Sequence, residues 1–467
     1  MAIGITAYSA YIPRRRLGRA KIAAAWGSRA VPGSKAVVNF DEDALTMAQA
    51  AVWRLLPAAP EIDRIYFAST TAPFWQRSSA SLVAAHCDLP AEVATADFGG
   101  TLRCGTSALG AALDAVAAGS GGRGVVVVAS DARAPRPESP EEMIFGDAAA
   151  AVAVGRERVV AEVVAVASRS DDFLDEWRRD SDAHVHSFAS KFSLARGYHA
   201  NVVAVAGRVM EAAGIGAGEI SRAVLASPDG AAHLAAASAL GIPAERVEDT
   251  RAGDIGVTGS AMPLLLLAQA LDRAASGDLI LVVAYGEGAD GLLLRVTSEI
   301  ARLPRPCVSA EASVLEYPTY EIYRKLRSGD HAGEAAEVSN VLWEREETQN
   351  VRLHGTFCPG CGTLQFPITR VCVKCRNAEG LLEKPLARTG RLFTYTKDYL
   401  YDAPVQPTIM AIVDLDGGGR LLCQMTDADE QEVEIGMEVE LVLRRMRPGP
   451  SMHHYYWKGR PVRGGSQ

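Results

Sequence analysis

No stretch of this 467-residue chain approaches the ~18 uninterrupted apolar residues of a membrane span, although 48% of its residues are hydrophobic. The start, Met1 to Tyr8, alternates like a strand and lacks the charged opening and apolar run of a signal peptide. There is no long disordered tract. There is no basic excess either: the net charge of −8 argues against a general nucleic-acid binder. Cysteine is scarce, with eight residues in all. Four fall in one tight cluster and four are scattered, which points to one metal site in a reducing compartment rather than a disulfide framework. A cytoplasmic protein of about three domains, without membrane or nucleic-acid partners, is expected.

Cys104 stands where a Gly-rich turn, Phe98 to Arg103, runs into a small-residue helix predicted over Gly105 to Ala118. Unpaired N–H groups at a helix N-terminus and a neighbouring Arg103 both favour a thiolate, which suits an acyl-carrying nucleophile. A small cysteine packed under the helix is the other reading, and the local residues leave both open. Gly119 to Gly124 precedes its strand instead of following one, so it fails as a dinucleotide fingerprint and reads as a connection.

The first 300 residues contain a duplication. Ile62 to Ser69 is answered by Ile220 to Ser227, Leu89 to Glu92 by Ile242 to Glu245, Ala112 to Asp114 by Ala270 to Asp272, and Val125 to Ser130 by Leu279 to Tyr285. Continuous apolar strands between amphipathic helices predict α/β architecture with sheets covered on both faces. The repeat makes the turn before Cys104 equivalent to the turn Arg251 to Gly259, so both are expected to line one cleft.

With Phe145 to Ala150 ahead of a strand, this duplicated module resembles the thiolase superfamily. It is most similar to the branch of 3-hydroxy-3-methylglutaryl-CoA synthase and ketoacyl-ACP synthase III, to which Ala10 to Leu17 and Asp41 to Ala48 also correspond. The resemblance implies a five-layer α-β-α-β-α body, a homodimer, and an acyl-CoA or acyl-carrier thioester as substrate. Carried over residue by residue, it places Leu102 at the nucleophilic cysteine, because Gly105-Thr106-Ser107-Ala108-Leu109 fixes the register. It places Ala226 at the histidine, Val257 at the asparagine and Thr70 at the general-base glutamate. Backbone N–H groups near Leu102 and in the loop Tyr285 to Ala289 remain as oxyanion donors. Tyr285 and Cys104 are the catalytic candidates. Asp147 reads as structural. His184, His186 and His199 form a weak metal-ligand candidate, and Arg14, Arg15 and Arg16 are set between CoA phosphates and a solvated charge run.

Cys358, Cys361, Cys372 and Cys375 make two Cys-x-x-Cys knuckles ten residues apart, the pattern of a closed, structural Zn²⁺ site. The short alternating runs 390–396, 408–415, 420–425 and 439–445 predict a small β-barrel. Together with Tyr455 to Pro461 this region resembles the zinc-ribbon and OB-fold domains that accompany thiolase-like enzymes. Residues 351–467 carry 15 Lys/Arg against 13 Asp/Glu, too little for a phosphate tracker. The expected division is 1–160 and 161–298 for the two halves, 299–350 for a connecting arm, 351–380 for the ribbon and 381–467 for the OB fold. The arm's helix, near Tyr320 to Arg327, is expected to lie on one of the bodies. Three functions follow from the resemblance: an acyltransferase or synthase without the usual cysteine relay, a retro-aldol lyase on a β-hydroxyacyl-CoA, or a non-catalytic scaffold for a carrier or partner enzyme.

Overall fold

Both copies of the duplicated module form the strands predicted within Ile62–Ser69, Val125–Ser130, Ile220–Ser227 and Leu279–Tyr285, together with further strands. In the first copy these are β1 (Gly4–Tyr11), β2 (Arg64–Ala68), β3 (Ala94–Phe98), β4 (Val125–Asp131) and β5 (Ala148–Gly155). In the second they are β6 (Ala161–Ser170), β7 (Arg222–Leu225), β8 (Leu279–Tyr285) and β9 (Gly288–Val296). The computed structural model describes every residue except 1, 30, 60, 121, 189–190, 304–311, 325, 327–338, 401–402, 447–452 and 464–467. It divides into one unit of Met1–Val38, Asp43–Ala84 and Leu89–Leu326, and another of Asn39–Glu42, Ala85–Asp88 and Arg327–Gln467.

In the first unit the hydrogen-bonded strand order is β7-β8-β9-β6-β1-β5-β4-β2-β3. Outward from the middle, each copy runs first strand, last strand, last but one, second. The first copy then adds β3, where the second has only the isolated parallel bridge Ala223–Val247. The copies join through two residue pairs, Gly4–Glu162 and Ile5–Ala161. Strand periodicity sorts the core into layers. Ile280 and Val282 of β8 face a core shared with α2 (Cys104–Ala117) and α5 (Met262–Arg273). Leu281, Val283 and Tyr285 face a second core with α3 (Ala200–Ala213) and α4 (Ala232–Leu240). On the first copy α1 (Ala44–Leu55) packs against β1, β4 and β5. It opens on a capping box in which Asp43 accepts from the Leu45 and Thr46 N–H groups.

The arm returns to this unit. Ser313–Leu315 pairs parallel with Arg15–Gly18, and α6 (Tyr317–Tyr323) follows. The arm helix expected toward Arg327 therefore starts earlier and lies on the first unit; Arg327 itself is outside the described residues.

In the second unit α7 (Asn340–Asn350) leads into a small sheet in which β10 (His354–Phe357) pairs with β11 (Leu364–Gln365) and β12 (Leu382–Pro385). The barrel strands are β13 (Thr389–Asp398), β14 (Thr408–Leu415), β15 (Arg420–Gln424), β16 (Glu438–Arg445) and β17 (Tyr455–Pro461). Their order is β15-β14-β13-β16-β17, and the bridge Met425–Gly459 brings the two ends together into a near-closed barrel around Trp457.

Candidate active site

Cys104 is the first residue of α2, with Arg103 as its cap, and its N–H donates to the Thr101 carbonyl at 3.1 Å. The missing side chain of Gly105 lets this helix end meet the turn before α5. A Cβ there would stand 2.9 Å from the Ser260 carbonyl and 3.0 Å from Ala129 Cβ. The thiol is 1% exposed. Burial, then the nearby Asp131 carboxylate, pushes it up to about 12, against the lesser pull of a hydrogen bond with Ser260. The expected ease of ionisation is thus corrected. The Arg103 charge that favoured it lies in an ion pair with Asp290 at 2.8 Å. Asp290 also accepts from Thr106, Ser107 and Ser168 at 3.1, 2.8 and 2.8 Å.

Asp131 ends β4 and is fully buried. Its carboxylate accepts from the Ser69, Thr70 and Thr71 hydroxyls at 3.0, 2.9 and 3.0 Å. It also accepts from the N–H of Thr70 at 2.8 Å and of Ser260 at 2.7 Å. One carboxylate thereby ties the turn after β2 to the turn before α5, one from each copy. Thr70, at the position where the resemblance places a carboxylate base, is itself held by this one. Sequence reading passed over Asp131, yet a signal was present: a single acid closing an otherwise apolar parallel strand.

Ala226 and Val257 share the hydrophobic core that contains Cys104. Val257 donates its N–H to Ile144 O at 2.7 Å, and its carbonyl accepts from Gly146 N–H at 3.1 Å. At these two positions, then, the side chains carry no acid–base chemistry.

The loop after β8 meets the Cys104 turn through backbone. The Gly286 carbonyl accepts from Thr101 Oγ1 at 3.0 Å and Arg103 Nε at 2.8 Å. A Cβ on Gly286 would lie 2.7 Å from Thr101 Oγ1, 2.8 Å from Arg103 N and 3.0 Å from Leu102 N. The Gly286 N–H donates to Gly288 O at 3.1 Å inside the hairpin. Tyr285 belongs to the other core, across the sheet from Cys104. Its ring meets Tyr198 edge-on at 5.6 Å, next to the π-helical turn Leu194–His199. Its hydroxyl donates to Asp175. Burial and the Asp175 carboxylate drive the phenol upward, and burial raises Asp175 as well, so the pair holds its proton. The structure thus ties Thr70 through Asp131 to the Ser260 turn, puts Cys104, Ala226 and Val257 in one core, and leaves the Tyr285 hydroxyl on the opposite face.

Of the remaining candidates, Arg15, Arg16 and His186 have structural partners. Arg15 donates to Ser313 Oγ at 3.2 Å, and Arg16 to Pro13 O at 2.5 Å. His186 stacks on Trp177 and approaches Asp182 at 3.4 Å. Among the described residues the one group of three or more Cys, His, Asp or Glu placed to hold a metal is Cys358, Cys361, Cys372 and Cys375. A Zn–S bond of about 2.3 Å implies tetrahedral S···S edges of about 3.8 Å. Here Cys358–Cys375 and Cys361–Cys372 lie at 3.5 and 3.6 Å, with all four sulfurs within 4.8 Å of one another, so the residues fit that ion.

Comparison with known proteins places this geometry. Residues 383–444 match the ChsH2 C-terminal OB-fold domain, and residues 210–295 match the C terminus of 3-oxoacyl-[acyl-carrier-protein] synthase III. The chain is similar to the hydroxymethylglutaryl-CoA synthase of Methanopyrus kandleri, 31% identical over 341 residues, covering 70% of this chain and 97% of that protein. Among solved structures, an HMG-CoA synthase complexed with CoA superposes with a TM-score of 0.65 at 16% identity, over 73% of this chain and 95% of that one. The HMG synthase of the curacin biosynthetic pathway, in complex with acetyl donor-ACP, gives a TM-score of 0.58 at 17% identity, over 69% and 88%. The expected thiolase-like body and OB-fold barrel are both present, and the chain belongs to the hydroxymethylglutaryl-CoA synthase family of condensing enzymes.

Proposed function

We propose that the first unit binds an acyl-CoA or acyl-carrier thioester with its carbonyl at the Thr101–Cys104 turn, and performs Claisen- or aldol-type chemistry without acylating Cys104. The observation that carries this reading is the state of that thiol. It is buried, pushed up to about 12, and two residues past the family position, while Ala226 and Val257 carry no titratable group. The helix N-terminus still presents its dipole to a carbonyl oxygen. A retro-aldol lyase is the second reading, favoured by the same absence of a nucleophile: cleaving a β-hydroxyacyl thioester needs a proton acceptor and a carbonyl polariser, but no acyl-enzyme. The four cysteines of the ribbon hold a structural Zn²⁺, which in that role supplies folding energy and no chemistry.

Incubation with radiolabelled acyl-CoA tests this reading. Turnover without a protein-bound label, unchanged in Cys104→Ala, is the expected result. A stable label lost in Cys104→Ala would establish the relay and sink the proposal. Neither turnover nor binding across a panel of acyl-CoA and β-hydroxyacyl-CoA thioesters would leave the scaffold.

A further inference from the structure

The arm helix α6 docks on the body through buried ionisable groups. Lys35, on the strand Ser34–Val37, is fully buried. Its Nζ meets Glu142 O at 2.5 Å and the Tyr320 hydroxyl at 3.1 Å, and lies 4.6 Å from the Tyr320 ring centre. From the same arm, Tyr317 donates to Glu142 Oε1 at 3.0 Å, and Arg324 pairs with buried Asp147. Asp147 also accepts the Val38 N–H at 2.7 Å. Its chain neighbour Gly146 makes the crossing with Val257, the residue at the family's asparagine position, while Phe145 and Val257 form a parallel bridge.

We propose that Lys35, Tyr320 and Arg324 form a proton-sensitive latch: with the amine neutral the arm helix stays docked, and Arg324 holds Asp147 and, with it, the Gly146–Val257 crossing at the candidate active site. Arg324 is a positioning residue; it touches no reacting atom. The charged groups that face Lys35 are Arg324 from the arm, Asp147 and Glu142 from the segment before and at β5, and Arg19 from the helix Arg19–Trp26. Burial, then Arg324, lowers the amine to about 7. A solvated lysine titrates near 10.4, so between about pH 7 and 10 the undocked state holds a proton that the docked state lacks. Docking therefore strengthens as pH rises through that window, by up to about tenfold per pH unit, and is flat below it.

Hydrogen exchange on the full chain, read as protection relative to intrinsic rates at pH 6, 7, 8 and 9, tests the latch. Protection of the 317–323 amides and of the Gly146 and Val257 amides should rise together with pH in the native sequence and stay level in Lys35→Met. Arg324→Met should lower protection at Gly146 and Val257. If Lys35→Met does not fold, Tyr320→Phe serves instead: removing an acceptor of the ammonium extends the rise below pH 7. Protection that is independent of pH in the native chain, a slope that survives Lys35→Met, a profile unmoved in Tyr320→Phe, or native protection at Gly146 and Val257 in Arg324→Met would each overturn the proposal.

Discussion

Asp131→Asn is the most direct probe of how the candidate site is held. The substitution keeps size and shape but replaces one acceptor oxygen with an NH₂ group. The native carboxylate faces two backbone donors that cannot reorient, Thr70 N–H on one oxygen and Ser260 N–H on the other, at 2.8 and 2.7 Å. Whichever way the amide turns, its nitrogen opposes one of them; the three hydroxyls can rotate, the N–H groups cannot. Leaving a buried donor unsatisfied costs about 1–3 kcal/mol, and exchanging charge-assisted for neutral hydrogen bonds adds about 1–1.5 kcal/mol. The expected loss is about 2–4.5 kcal/mol, localised to the turns Ser69–Thr71 and Gly259–Ser260. A chain of two units does not unfold as one step, so the assay is residue-level hydrogen exchange rather than a single melting curve. Exchange at Thr70 and Ser260 should accelerate about thirtyfold or more at constant pH. Ser69→Ala, which removes one hydroxyl donor, should change it by roughly tenfold or less. Rates in Asp131→Asn within about threefold of native would refute the claim that this carboxylate fastens the two copies together.

Three further outcomes follow from the same geometry. A thiol pushed up to about 12 is ionised in only about one molecule in ten thousand at pH 8. Iodoacetamide should therefore leave Cys104 unmodified in the folded chain and label it on denaturation, as peptide mass spectrometry reads; rapid native labelling would contradict the buried, uncharged assignment. Gly286→Ala drives a Cβ into the Thr101–Arg103 backbone and should destabilise that contact by about 1–3 kcal/mol, seen as faster exchange across residues 99–106. Removing zinc with a chelator, or making Cys358→Ser, should release one equivalent of metal by colorimetric assay and loosen residues 354–385, while the exchange of β4 and β8 stays unchanged.

Most of the architecture was legible because it rests on signals that act locally. The apolar runs Val125–Ser130 and Leu279–Tyr285 can be buried only on both faces, and their repetition announces the second copy. The four cysteines needed nothing beyond their spacing. The site was less legible, because its decisive quantities are set by contacts distant in the chain. Arg103 beside Cys104 reads as an acidifying neighbour until Asp290, 187 residues away, is seen to pair with it. Tyr285 reads as a site residue from the loop it opens. A period-two strand, however, sends alternate side chains to opposite faces, and Tyr285 falls in register with Val283 and Leu281, away from Cys104. The Lys35–Arg324 cluster was invisible because its members are some 290 positions apart along the sequence.

The replaced positions have a shared physical consequence. Leu102, Ala226 and Val257 put apolar side chains where the family resemblance places a thiol, an imidazole and an amide, while the two hydrogen-bonded hubs, Asp131 and Asp290, keep the turns around them in place. A nucleophile or base needs to be charged at some stage, and a dry floor penalises that charge; the upward drive on Cys104 is the direct sign of it. The same dryness acts in the opposite sense on fixed dipoles. The N–H groups at the start of α2 do not have to be ionised, and their field on a carbonyl oxygen grows as water and competing charges are excluded. Losing the side-chain relay and keeping the helix end are therefore compatible changes. On the proposed reading they turn the site from covalent capture of an acyl group toward polarisation of a bound thioester, with the proton handled by substrate atoms, since the Tyr285 hydroxyl lies across the sheet.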